Sequence, residues 1–200
     1  MTTLATLPLF PLQTVLFPGG RLALKVFEAR YMDMVSICLR EGSTFGVCLI
    51  AAGSEVGEAA VPHTVGTEAR IVSVDASTMG LMEVVVGGER RFRLHDHSVG
   101  KGQLLTGEVE WLPAIPHLPV PEAQANLIPL LERIVADMGE RIAHPYRFDD
   151  AEWVGARYAE VLPIQSLARQ KLLELDDVVS RLEIVQQYLD QRGLLTPPVA

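Results

Sequence analysis

The chain has 200 residues, 48% of them apolar and 21% charged, with a formal net charge of −8. Whole-chain disorder is excluded, because it needs low hydrophobicity, and the length bounds the chain at one large domain or two small ones. The acid excess is spread over both halves, −3 before and −5 after residue 110, so neither half is a basic module suited to phosphates.

Residues 1–112 read as mostly strand, punctuated by glycine and proline. Leu7-Pro8-Leu9-Phe10-Pro11-Leu12 is apolar and extended, and its prolines suit an edge strand or a bulge. Thr14 to Phe17 and Arg21 to Val26 follow, parted by a Pro18-Gly19-Gly20 turn. The one helix expected here runs from Glu28 to Arg40 and stops before Gly42, with Tyr31, Val35, Cys38 and Leu39 near one face. Phe45 to Ala51 reads as a buried strand, and the small, acidic stretch from Gly53 to Pro62 as a mobile loop. Further strands are expected over Gly66 to Val74, Leu81 to Val86, Arg90 to Leu94 and Leu104 to Trp111. Short strands around a single helix predict a small closed or half-closed barrel.

Four prolines between Pro113 and Pro121 mark the composition break, and 113–121 reads as a stiff, extended linker. Past it the apolar period becomes helical, over residues 122–193. Glu122 to about Gly139 forms the first helix, with a bend expected at Pro129. Asp149 or Asp150 caps the next, which runs to Leu162 and carries Trp153 and Tyr158. Ile164 to Leu175 follows Pro163, and Asp176 caps the last helix, which runs to about Arg192. There Leu175, Val178, Leu182, Val185 and Leu189 form one apolar stripe, with Asp177, Arg181, Glu183 and Gln187 outside it. Two heptads are short for a coiled coil, so the stripe is expected to pack in cis. Residues 194–200 read as a loose tail.

The motifs of catalysis are mostly missing. No Gly-Lys-Ser or Gly-Lys-Thr loop, no G-x-S-x-G elbow and no S-x-x-K pair occurs. Cys38 and Cys48 sit among apolar residues and read as reduced core thiols. His95-Asp96-His97 is the remaining catalytic or metal-ligating candidate, weighed against a strand end entering a solvated turn. Asp149-Asp150 and Asp176-Asp177 stand where helices begin, so capping accounts for them; Glu28, near Arg30, suits an ion pair or the helix's free amides. No cofactor and no metal is expected. The prolines at 8, 11 and 18 break any signal-peptide helix, and no apolar run is long enough for a membrane span; a cytoplasmic protein is the expectation.

Three early segments carry a resemblance: Leu7-Pro8-Leu9-Phe10-Pro11-Leu12, Val15-Leu16-Phe17-Pro18-Gly19, and Leu22 through Val26-Phe27-Glu28 to Arg30-Tyr31. With Val65-Gly66-Thr67, Arg91-Phe92, Leu162-Pro163, Lys171-Leu172-Leu173-Glu174, Asp177 and Arg181-Leu182, their order resembles the N-terminal domain of Lon proteases over roughly residues 5–192. The resemblance implies an α+β fold, a PUA-like β pseudo-barrel with one helix followed by a C-terminal helical bundle. It also implies a non-enzymatic module for recognising substrate polypeptide, here standing alone without ATPase or peptidase parts. The expected partner is unfolded polypeptide or one dedicated protein. Such a surface needs exposed apolar patches or an open strand edge. Tyr146 and Phe148, in a polar loop, are the candidates for exposed contacts, and Trp111 and Trp153 for flanking the joint, against ordinary core packing for all four. An RNA-binding PUA-like module and an enzyme using the His95-Asp96-His97 region are the alternatives.

Overall fold

The computed structural model describes residues 4–195. The described chain divides into two compact units, with the boundary between Ala114 and Ile115. The first contains six strands and one long helix: β1 (Ala5–Leu12), β2 (Arg21–Val26), α1 (Ala29–Glu41), β3 (Phe45–Ala52), β4 (Val61–Asp75), β5 (Met82–Val99) and β6 (Leu105–Trp111). Their order is β2-β5-β4-β3-β1-β6, and an additional β5–β6 pairing closes five of them into a ring with β2 outside it. β5 achieves the closure by length: it meets β2 through Met82–Gly87, β4 through residues 83–93 and β6 through residues 92–99.

β1 is not an edge strand, one of the two placements, edge or bulge, that its prolines suggested. It lies between β3 and β6. Residues 5–9 pair with β6 and residues 9–12 with β3, so only Leu9 pairs on both sides. Pro8 falls where β6 alone pairs and Pro11 where β3 alone does. Each ring can therefore turn its missing donor toward the side that lacks a ladder partner. α1 packs Tyr31, Met34, Val35 and Cys38 onto the strands, and Gly42 at φ 64° lets the chain turn off its end. Leu39, expected on that face, points to solvent instead. The ring is filled by Leu7, Leu9, Cys48, Phe92, Leu94, Leu105 and Val109. Both cysteines are buried free thiols, and burial pushes the Cys48 thiol up to about 12.

The second unit holds α2 (Leu127–Met138), α3 (Ala151–Val161), α4 (Ser166–Glu174) and α5 (Val178–Asp190), with a 3₁₀ turn over Glu122–Gln124 ahead of them. Pro129 is the third residue of α2, in the first turn where an amide has no intrahelical acceptor, so no bend is needed. Asp150 caps α3, accepting from the Glu152 amide at 3.0 Å. Asp177, rather than Asp176, caps α5, accepting from the Val179 amide at 3.1 Å and from the Ser180 hydroxyl at 2.7 Å. Val178, Leu182, Val185 and Leu189 are buried with residues of α2 and α3, so the stripe packs within the chain.

The proline-rich stretch is more than a spacer. Ile115 and Val120 pack on the helical core, Leu118 accepts from the Ala151 amide at 2.8 Å, and the Val120 amide donates to Asp149 at 3.1 Å. Residues 115–121 thus belong to the second unit. Most of the expected loose tail, 196–200, lies outside the described residues.

Candidate functional site

The clearest recess in the first unit runs beside β2. It is a groove of about 350 Å³ lined by Phe10, Leu12, Leu24, Val26 and Tyr31, with Phe27 and Val56 also on its wall. Phe27 is 56% exposed and Val56 54%, unusual for large apolar side chains and therefore informative. Phe10 and Tyr31 stack within the groove lining, ring centroids 3.9 Å apart. Burial holds the Tyr31 hydroxyl above its usual range, against the lowering effect of Arg30, while Glu28 and Glu55 reinforce the rise.

The groove's acidic end is built by the turn into α1. Glu28 occupies the N-cap in an extended conformation and bonds Arg30 at 2.9 Å, the ion pair its position suggested, instead of capping the helix. Arg30 also donates to the Gln103 carbonyl at 2.9 Å, which ties α1 to the β5–β6 turn. The 53–60 loop is anchored here: Gly57 donates to Glu28 at 3.4 Å, and Glu55 accepts from the Gln13 amide at 2.5 Å.

Of the four aromatic candidates, three come together in the second unit. Trp153 is buried in its core, and Tyr146 and Phe148 are half-buried against it, with Phe148 edge-on to Trp153 at 5.1 Å. His144 stacks on Tyr146 at 3.9 Å, adding an exposed face to the cluster. Trp111 belongs to the first unit, half-buried with its edge on Phe92 and the Arg90 guanidinium 3.6 Å from its ring centroid.

A second recess, of about 500 Å³, opens in the helical unit between the end of α3, α4 and α5. Ile164, Ala168, Leu172, Leu175, Ile184 and Tyr188 line it, and the Lys171–Glu174 ion pair stands at its rim. Sequence reasoning passed over both recesses. Their one legible signal was the surplus of apolar residues, such as Phe27 and Ile184, at positions off the core stripes.

His95-Asp96-His97 lies inside β5 rather than at a strand end. Asp96 and His97 pair across to Glu108 and Gly107, and His95 bonds Glu110 at 2.7 Å on the exposed surface. The expected turn is absent because the ladder with β6 carries the strand on to Val99. Among the described residues, no group of three or more His, Cys, Asp or Glu side chains is placed to hold a metal ion. No described helix is long and apolar enough to cross a membrane.

A six-stranded mixed sheet with five α-helices defines an α+β domain of the Lon N-terminal type. The crystal structure of a Lon N-terminal domain protein from Xanthomonas campestris is 38% identical, with a TM-score of 0.77 over 92% of this chain and 98% of that one. The N-terminal domain of the Mycobacterium avium complex Lon protease shares the fold, at a TM-score of 0.68 and 19% identity over 93% of this chain. The family model of the ATP-dependent protease La (LON) substrate-binding domain matches residues 6–191, and the chain belongs to that family. Lon protease of Anaeromyxobacter dehalogenans and Lon protease 2 of Myxococcus xanthus are each 26% identical, over 94% and 93% of this chain. The chain spans 23% and 24% of those two relatives, about a quarter of their length.

Proposed function

We propose that this protein is a non-enzymatic recognition module that binds client polypeptide through apolar surface. Its membership of a substrate-binding domain family across residues 6–191 carries the reading. Both units offer what an unfolded chain needs: the groove at β2 with its exposed Phe27 and Val56, and the apolar recess between α4 and α5. Tyr146 and Phe148 are proposed as contact residues of the second unit with Trp153 supporting them, and Trp111 as one of the first.

The test is fluorescence anisotropy of labelled, reduced and carboxamidomethylated lysozyme, a permanently unfolded basic chain, titrated with the protein at low and high salt. Apolar recognition gives saturable binding that survives high salt. Binding that collapses with salt indicates charge pairing alone. No saturation by about 100 μM, which is weaker than roughly −5.5 kcal/mol, discards a general recogniser in favour of one dedicated partner.

A further inference from the structure

We infer that β2 is the docking strand, taking a segment of client polypeptide as an added strand along its open edge; this rests on the reading of the chain as a polypeptide-recognition module. β2 ends the strand order and, among the described residues, pairs only with β5. The phase of that pairing is set at its start, where the Gly88 amide donates to the Gly20 carbonyl at 2.9 Å. In an antiparallel ladder, residues alternate between facing the partner and facing away. With Arg21 opposite Gly87, Leu22, Leu24 and Val26 bond β5, and the backbone N–H and C=O of Ala23 and Lys25 turn outward.

An edge of this kind is completed by another extended backbone. A helix has already satisfied its own amides. The six residues Arg21–Val26 span about 20 Å at roughly 3.3 Å per residue, which fits a client segment of similar length. Alternate side chains of that segment would fall into the groove beside β2, onto Phe10, Leu24 and Tyr31 between the exposed Phe27 and Val56. Tyr31 lines the same groove, its ring stacked on Phe10 at 3.9 Å.

Charge decides between occupants. A second copy of β2 added antiparallel about Ala23 would set Arg21 against Lys25 on both sides of the junction, and like charges directly opposite are destabilising. Glu55 also lines the groove, its carboxylate accepting from the Gln13 amide and, among the described residues, forming no ion pair with a cation. The favoured occupant is therefore an apolar, extended client segment with a Lys or Arg among its groove-facing residues.

The experiment is amide hydrogen exchange by NMR on the whole chain, free and saturated with the unfolded lysozyme probe. Strand addition slows exchange at Ala23 and Lys25 by at least about tenfold, and Ala23→Pro, which removes an outward donor, weakens binding by about tenfold or more. Saturable binding with exchange unchanged at both amides overturns strand addition and leaves polypeptide recognition standing. No binding at all overturns both. Should Ala23→Pro fail to fold, the exchange measurement on the unaltered chain decides.

Discussion

The two units differ in what limits their packing. The barrel makes room by removing side chains: a Cβ on Gly46 or Gly66 would stand 2.7 or 2.6 Å from the Phe92 ring, and one on Gly88 would stand 2.1 Å from the Phe17 carbonyl. It also buries Arg30, Glu68 and Arg91, but the helical unit takes guanidinium groups fully out of water. Arg157 and Arg181 are 0% and 1% exposed, among the largest fully buried side chains of the protein. Arg181 donates to the carbonyls of Leu172 and Leu175 at 3.0 and 2.7 Å, and Arg169 donates to that of Leu162 at 3.0 Å. These carbonyls sit at the ends of α4 and α3, where the last turn has no intrahelical donors. A sheet closed into a ring satisfies its backbone by ladders, so closeness is what it lacks. Short helices in tight succession leave orphan carbonyls inside, and a guanidinium with five donors is the side chain that reaches several at once.

The sharpest way to break this comparison is Arg181→Met. It keeps the volume but strands two buried carbonyls and the neighbouring Glu152, 3.8 Å away, and should cost about 4 kcal/mol in the second unit. The chain has one tryptophan per unit, Trp111 and Trp153, so denaturation of Trp111→Phe reports the second unit alone. A variant as stable as the parent would show that the buried guanidinium is dispensable.

Gly88→Ala is the matching probe of the barrel. Overpacking against backbone should cost about 3 kcal/mol, read from Trp111 in a Trp153→Phe background. A loss below about 0.5 kcal/mol would mean that the strand can move aside. Asp150→Ala removes the α3 cap and should cost about 1 kcal/mol by urea denaturation of the second unit, with Trp111 unaffected.

Phe27→Ser and Val56→Ser should leave stability within about 0.5 kcal/mol, since both side chains are exposed. Each should weaken binding of the unfolded lysozyme probe about fivefold, and unchanged anisotropy curves would remove the β2 groove from the site.

The smallest effect is Asp177→Asn. The Ser180 hydroxyl and the Val179 amide hold the Asp177 carboxyl below its ordinary value of 3.8, so its stabilisation is present above that pH and lost as pH falls through the lowered value. Parent and variant melting temperatures should therefore converge toward acid. A gap that stays constant with pH would assign the effect to the side chain's shape.

Helix positions were legible because their signals are local. The acidic pairs Asp149-Asp150 and Asp176-Asp177 mark where α3 and α5 begin, although the cap of α5 is Asp177 and not the expected Asp176, and the spacing of Val178, Leu182, Val185 and Leu189 marks one face. Arg181 was misread as an outer residue although it lies three residues after Val178 and four before Val185, on the same stripe. Charge suggested solvent, and only the end of α4 explains its burial. The extent of β5 was missed for the same kind of reason: β2, β4 and β6 pair with successive parts of it, and the ladder with β6 overrides the polar run His95-Asp96-His97.

What the amino-acid sequence determined by itself was the division between a strand-rich half and a helical half, most element positions, the caps of α3 and α5 to within one residue, and the family resemblance, all of which rest on neighbours a few residues apart. Tertiary structure decided which strand closes the ring and which is left with an open edge. Pro8 and Pro11 suited β1 to an edge or a bulge, yet β1 lies inside the sheet and β2, which carries no proline, stands at its end. Strand pairing joins residues distant in the chain, so an edge is a property of what the rest of the sheet leaves unpaired.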